Sequence, residues 1–210
     1  MSKTALFKAA AAWDAPEVAR LLSDDPSLSH SRDAKGRTAL HICARRRWDG
    51  KVPTGNSSIA TARALLRAGV ELNAVYEIPD DGDLFPATAL WCAVAWGRNV
   101  PLVRDLLKRG ANPDHCLAAV VWANDAPLAR LLLKAGSRTE LTFGGETPLH
   151  YAARLGREKL IEELVAAGAD IRATDSKGRT ALEYARRKRL GARALGILGD
   201  QAPADTGARK

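Results

Sequence analysis

Four histidines and three cysteines are the side chains of this 210-residue sequence best suited to nucleophilic, acid–base or metal chemistry. His115 stands beside Cys116, a pairing that would supply a thiol with its base. Adjacent residues on a helix diverge by about 100°, because a turn takes about 3.6 residues. The two therefore do not face each other, and Cys116 falls where the surrounding pattern places a buried leucine. Cys43, Cys92 and Cys116 are odd in number and show no CxxC spacing, which argues against a disulfide framework or a zinc site. Asp80-Asp81-Gly82-Asp83 lacks the spacing and the distal Glu of a calcium loop. Gly144-Gly145 is too short to cradle a phosphate and is not followed by Gly-Lys-Ser/Thr. No catalytic residues, cofactor or metal site are expected. What stands out instead is five tryptophans and a set of arginines, side chains that recognise partners by combining large contact area with polar groups.

The elements that must position them belong to a folded chain, with 46% hydrophobic and 27% charged residues. No apolar run approaches the ~18–20 residues of a membrane-spanning helix. Lys8, Asp14 and Glu17 interrupt the N-terminal apolar stretch, so no export signal is expected. Together with the cysteine count this points to a reducing, cytoplasmic setting. The net charge of +8 is concentrated near the C-terminus, where ten basic and four acidic residues lie between Arg172 and Lys210.

Two marks recur along the chain. One is Thr-x-Leu, at Thr4, Thr38, Thr88, Thr147 and Thr180; the other is an apolar pair, usually followed by Gly, as in Leu65-Leu66-Arg67-Ala68-Gly69. Thr147 and Thr180 are 33 residues apart, and Asp114 takes the Thr place 33 residues before Thr147. Six repeats therefore start near 4, 38, 88, 114, 147 and 180. Each predicts a short Ala-rich helix, a second helix carrying the apolar pair, a Gly stop and a turn such as Asp175-Ser176-Lys177-Gly178-Arg179. One such pair cannot bury its own apolar face, so the repeats must stack.

Thr147-Pro148-Leu149-His150-Tyr151-Ala152-Ala153, with its Gly-Ala-Asp helix end and Asp-x-x-Gly-x-Thr turn, resembles the ankyrin repeat consensus. Thr38-Ala39-Leu40-His41-Ile42-Cys43-Ala44 is similar. The resemblance covers about residues 4–200 and implies an all-α solenoid of stacked helix–turn–helix units with hairpin-like finger loops. It further implies a single domain over 1–200, with a flexible tail expected at 201–210. It also implies that His41 and His150 make hydrogen bonds between turns. The partner would lie in a concave groove formed by the first helices and the finger tips.

Two insertions depart from the pattern. Residues 48–57 lengthen the second repeat between its helices, with Ser57 or Ser58 as N-cap of the helix that follows. Residues 74–87 form a long acidic finger with Tyr76, Glu77, Asp80, Asp81, Asp83, Leu84 and Phe85, whereas the next finger is nearly absent. Counted from the Thr position, the eighth and ninth residues should face the groove. They include Arg45 and Arg46, Trp96, Trp122 and Arg154, with Arg186 and Arg187 placed alongside them in the last repeat. Stacking would bring Trp96 and Trp122 close together, flanked by Arg46 and Arg154. Tyr76 and Phe143, on fingers, complete the expected partner-binding set, with the equal alternative that Tyr76 and Phe85 pin the long finger down. Trp13 and Trp48 are expected in local packing, and Trp91, at the consensus His position, in the core.

The function expected is a non-catalytic, monomeric protein–protein interaction module. Its partner would be a protein with an acidic or mixed patch, and no membrane is involved. Two alternatives remain open: nucleic-acid or acidic-partner binding through Arg186-Arg187-Lys188-Arg189, or an inhibitor or immunity-type protein that blocks an enzyme.

Overall fold

The computed structural model describes residues 2–48, 50, 57–80 and 83–199, at residues 80 and 83 through the main chain alone. Most of the insertion at 48–57, the finger tip at 81–82 and the tail at 201–210 lie outside the described residues. Two compact units emerge, Met1–Ala119 and Val120–Lys210.

Six helix pairs follow the six repeats. They are α1 (Lys3–Ala12) and α2 (Ala15–Asp24), α3 (Ala39–Arg45) and α4 (Ser58–Arg67), then, after the hairpin β1 (Tyr76–Asp80) and β2 (Asp83–Ala87), α5 (Ala89–Cys92) and α6 (Val100–Lys108). The remaining pairs are α7 (Cys116–Ala123) and α8 (Ala126–Lys134), α9 (Pro148–Leu155) and α10 (Glu158–Ala166), and α11 (Ala181–Lys188) and α12 (Ala192–Ile197). A 3-10 turn at Pro26–His30 follows α2, and a wide π turn at Ala93–Gly97 continues α5.

The recurring Thr marks where most first helices begin. Thr38, Thr88, Thr147 and Thr180 are N-caps. In three of these repeats the third helical residue reaches back: His41, His150 and Glu183 accept from the Thr N–H at 3.1, 3.2 and 2.7 Å. Each pairing satisfies donors that the helix start would otherwise leave open. Thr4 departs from the pattern: Ser2 caps α1 and accepts from the Thr4 N–H. Second helices begin with a side-chain cap followed by proline, as at Asp14, Asn99 and Asp125. Ser57 caps α4 in the expected way. Gly69, Gly110, Gly136 and Gly168 end second helices at positive φ, a conformation that costs glycine little.

In the first unit Leu6, Leu40, Leu65, Leu90, Leu102 and Leu106 are fully enclosed, and Ala10, Ala44 and Ala93 let the first helices approach closely. In the second, Leu132, Leu149, Leu160, Ile161 and Leu164 play that part with Ala152, Ala153 and Ala185. Each buried Leu or Ile contributes roughly 1.5–3 kcal/mol. The antiparallel hairpin pairs Tyr76 with Ala87, Ile78 with Phe85 and Pro79 with Leu84. Period-two alternation turns Tyr76, Phe85 and Ala87 inward, where they are buried, and leaves Leu84 59% exposed. Pro79 and Pro86 cannot donate to the ladder, so the paired hydrogen bonds fall on the alternate residues and the prolines sit on the outer edges.

Candidate partner-binding faces

In the first unit the π turn lifts Trp96 to the surface, 37% exposed, directly under Arg45, whose Cζ is 4.9 Å from the ring centroid. Such a cation over an indole face contributes about 0.5–1 kcal/mol when exposed and leaves the guanidinium edge free to bind. Trp91 packs edge-on against Trp96 with centroids 4.8 Å apart and touches Phe85 of β2 at 5.0 Å. It is half-buried, a bridge between hairpin and helix, and so less enclosed than the core position expected of it.

Arg46, expected beside Trp96, turns the other way. It lies 4.4 Å over Trp13 and donates to the Ala11 carbonyl at 3.1 Å, closing the end of α1. Trp13 is buried, its indole N–H donating to the Cys43 carbonyl at 2.9 Å, and Trp48 packs on it at 6.0 Å. Both belong to local packing, as expected.

Tyr76 is a correction. It was placed among the partner-contacting residues, yet it is 6% exposed, with its ring edge-on to His41 at 5.0 Å and its hydroxyl 3.9 Å from the Cys92 Sγ. It pins the hairpin down. The exposed residues of the finger are instead Leu84, Glu77 and Pro79, which the alternation with buried Phe85 and Tyr76 would have revealed. Beside β1 opens a cleft of about 500 Å³ that sequence reasoning missed, because its walls come from separate repeats. Lys35, Arg37, Arg45, Tyr76, Glu77 and Trp96 are among its lining residues.

In the second unit Trp122 is 53% exposed at the C-terminal end of α7. Its ring lies 5.9 Å from that of Tyr151, and Arg154 sits over both, 5.9 Å from Trp122 and 4.9 Å from Tyr151. Arg154 is held there by Glu146 at 3.0 Å. Phe143 is half-buried and tied into its finger, where the Tyr151 hydroxyl donates to its carbonyl at 2.9 Å. Arg186 and Arg187 are exposed on α11. Counted from Thr180, the eighth and ninth places are Arg187 and Lys188, so Arg186 sits one place earlier than the register assigned to it.

The three cysteines, His150 and Asp175 are engaged in the structure. Burial pushes the Cys43 and Cys92 thiols up to about 12 and raises Cys116 further, which suppresses the reactive thiolate. His150 hydrogen-bonds through Nδ1 to Thr147 and through Nε2 to the carbonyls of Ala173 and Arg179, at 3.0 Å each. Burial would raise the Asp175 carboxyl, but the Tyr184 hydroxyl, the Arg179 main chain and guanidinium and the Lys177 N–H together hold it well below the usual range. Asp175 thereby fixes the last finger turn. Among the described residues no cluster of His, Cys, Asp and Glu is arranged to hold a metal ion, and no helix is long and apolar enough to cross a membrane.

Comparison with known proteins extends the geometry to a family. The family model described as "Ankyrin repeats (3 copies)" matches residues 115–198, and that described as "Ankyrin repeat" matches residues 87–116. Human transient receptor potential cation channel subfamily V member 6 is 33% identical over 177 residues, 84% of this chain and 20% of the channel. The chain thus spans about a fifth of the length of the curated relatives it matches. Among solved structures, an ankyrin repeat domain from Acinetobacter baumannii is similar at a TM-score of 0.70 and 25% identity, over 92% of this chain and 95% of that one. A chain in the complex of the predatory endopeptidase Bd0816 from Bdellovibrio bacteriovorus with immunity protein Bd3460 is similar at a TM-score of 0.69 and 25% identity, over 96% and 100%. With its six helix pairs, Thr-capped first helices and glycine stops, the chain belongs to the ankyrin repeat family.

Proposed function

We propose that this chain is a non-catalytic module that holds another protein on the exposed faces of its first helices and on its fingers. Trp96 and Trp122 are its anchors and Arg45 and Arg154 their polar partners. One observation carries the reading. Each compact unit exposes a tryptophan at the ninth place of its repeat, and each tryptophan lies under an arginine. Exposed indole is costly to leave in water and is enriched where binding energy concentrates. Ankyrin repeats serve generally as protein-interaction modules, which supports the assignment. The free, buried cysteines suit a reducing, cytoplasmic compartment, and the module is read as a monomer.

The test is partner capture from a nuclease-treated lysate by the wild type and by the Trp96→Ala/Trp122→Ala variant side by side. A protein recovered by the wild type alone, with the variant's helical circular dichroism unchanged, supports the reading. Equal recovery by a folded variant contradicts it. Binding that disappears with nuclease and falls steeply with salt would move the assignment to nucleic acid, held by the basic run Arg186–Arg189.

A second reading draws on the β1–β2 hairpin, whose exposed Leu84 suits insertion into a cleft. An inhibitor or immunity-type role, in which the finger blocks an enzyme, is supported by the similarity to a chain in the endopeptidase–immunity protein complex. A captured enzyme that loses activity with the wild type, but not with Leu84→Asp, would favour it.

A further inference from the structure

We propose that the cleft beside β1 is a receptor for one carboxylate side chain on an extended segment of the partner protein, held by Arg45 and Lys35 with its flanking apolar residue against Trp96. The inference rests on the protein-binding reading above and gives the partner a chemistry.

Among its described lining residues the cleft has Lys35, Arg37 and Arg45 and one carboxylate, that of Glu77. Arg37 is already occupied, 2.6 Å from Asp33 and largely covered. No carboxylate among the described residues pairs with Lys35 or Arg45. Arg45 instead rests on the face of Trp96, an arrangement that holds the guanidinium in place and leaves its N–H edge for an acceptor. Glu77, also in the lining, leaves the cleft suited to one further acidic group, held at Lys35 and Arg45.

A volume of about 500 Å³ accepts a side chain or two, not a folded surface. Ile78, Pro79 and Trp96 supply the apolar part of the lining. The Arg32 guanidinium donates to the Gly36 carbonyl at 2.7 Å and to the Val75 carbonyl at 2.9 Å, tying the finger turn beside Lys35 to the residue before β1.

Among the described residues β1 pairs with β2 alone, and the pairing register turns the main-chain groups of Glu77 and Pro79 away from the partner strand. Pro79 has no N–H, so along this edge Glu77 alone offers both a donor and an acceptor. An extended segment can pair there at one residue while long strand addition, and with it self-association, is blocked.

The probe is a fluorescein-labelled nine-residue peptide carrying one Glu between two Leu in a Gly/Ser background, compared with its Glu→Gln counterpart by anisotropy. The wild type should bind the Glu peptide at least about tenfold more tightly than the Gln peptide, and Arg45→Glu and Lys35→Glu should each lose that preference. Arg67→Glu, a charge reversal on the exposed side of α4, should keep it; unchanged circular dichroism and thermal midpoint show that the variants fold. Equal affinity for the two peptides, no binding of either, or preference retained in Arg45→Glu overturns the inference. Loss of preference in Arg67→Glu as well overturns it too, since attraction would then be a matter of net charge. Partner capture separates the two readings: a partner lost with Trp96→Ala/Trp122→Ala but kept by Arg45→Glu leaves the binding faces standing and removes the cleft.

Discussion

At the scale of single residues, His41 shows how the fold uses a group capable of chemistry. Its Nδ1 accepts the Thr38 N–H at 3.1 Å and its Nε2 faces the Ala87 carbonyl at 3.3 Å, so the neutral ring with the proton on Nε2 satisfies both contacts. Burial, opposed by the hydrogen bond to Ala87, pulls its pKa down to about 4, from an ordinary value of about 6.5. A lowered folded-state value means that the unfolded chain binds the proton first. The stability contributed by the neutral ring is therefore complete above about pH 6.5 and is lost as pH falls toward 4. Urea midpoints of the wild type should decline between pH 7 and 5, and His41→Gln, which keeps an acceptor for the cap, should flatten that decline. Parallel profiles would show that His41 is not the group responsible. The surface positions of Trp96 and Trp122 could be counted from the repeat. The swap of roles between Arg45 and Arg46 could not, because α3 ends at Arg45 and Arg46 leaves helical geometry with ψ 126, sending its side chain back to α1.

At the scale of elements, the π turn at Ala93–Gly97 raises Trp96 and closes on α3 at Gly97. A Cβ on Gly97 would stand 2.3 Å from the Ala44 carbonyl oxygen, and the Trp48 N–H donates to the Gly97 carbonyl at 2.7 Å. Gly97→Ala should cost about 1–3 kcal/mol in urea unfolding, because backbone rather than a flexible side chain must yield. Gly196→Ala, in α12 with open space around it, should instead gain up to about 1 kcal/mol. A Gly97→Ala protein as stable as the wild type would mean that α3 and the turn can separate freely. The helix pairs were legible because capping residues, apolar period and glycine stops all agree. The hairpin was legible only as a long finger, since Pro79, Pro86 and the surrounding aspartates mask its alternation. The cleft was not legible at all, because Lys35, Arg45 and Ile78 come from a turn, a helix and a strand far apart in sequence.

At the scale of the molecule, six repeats divide between two compact units, and each unit carries one exposed tryptophan under one arginine. Repetition explains why so much of the fold could be read from spacing: each repeat restates the same caps and core positions, so one degenerate copy, such as that at Asp114, is placed by its neighbours. The partner is not written in the repeat, which supplies only a scaffold. The proposed function rests on the departures, the tryptophans and the long finger. The most direct test is calorimetric titration of the captured partner, once purified, into the wild type and into Trp96→Ala/Trp122→Ala. Loss of affinity by at least about a hundredfold with an unchanged thermal midpoint is the result predicted for paired anchors. Equal affinity of the two proteins would contradict the assignment.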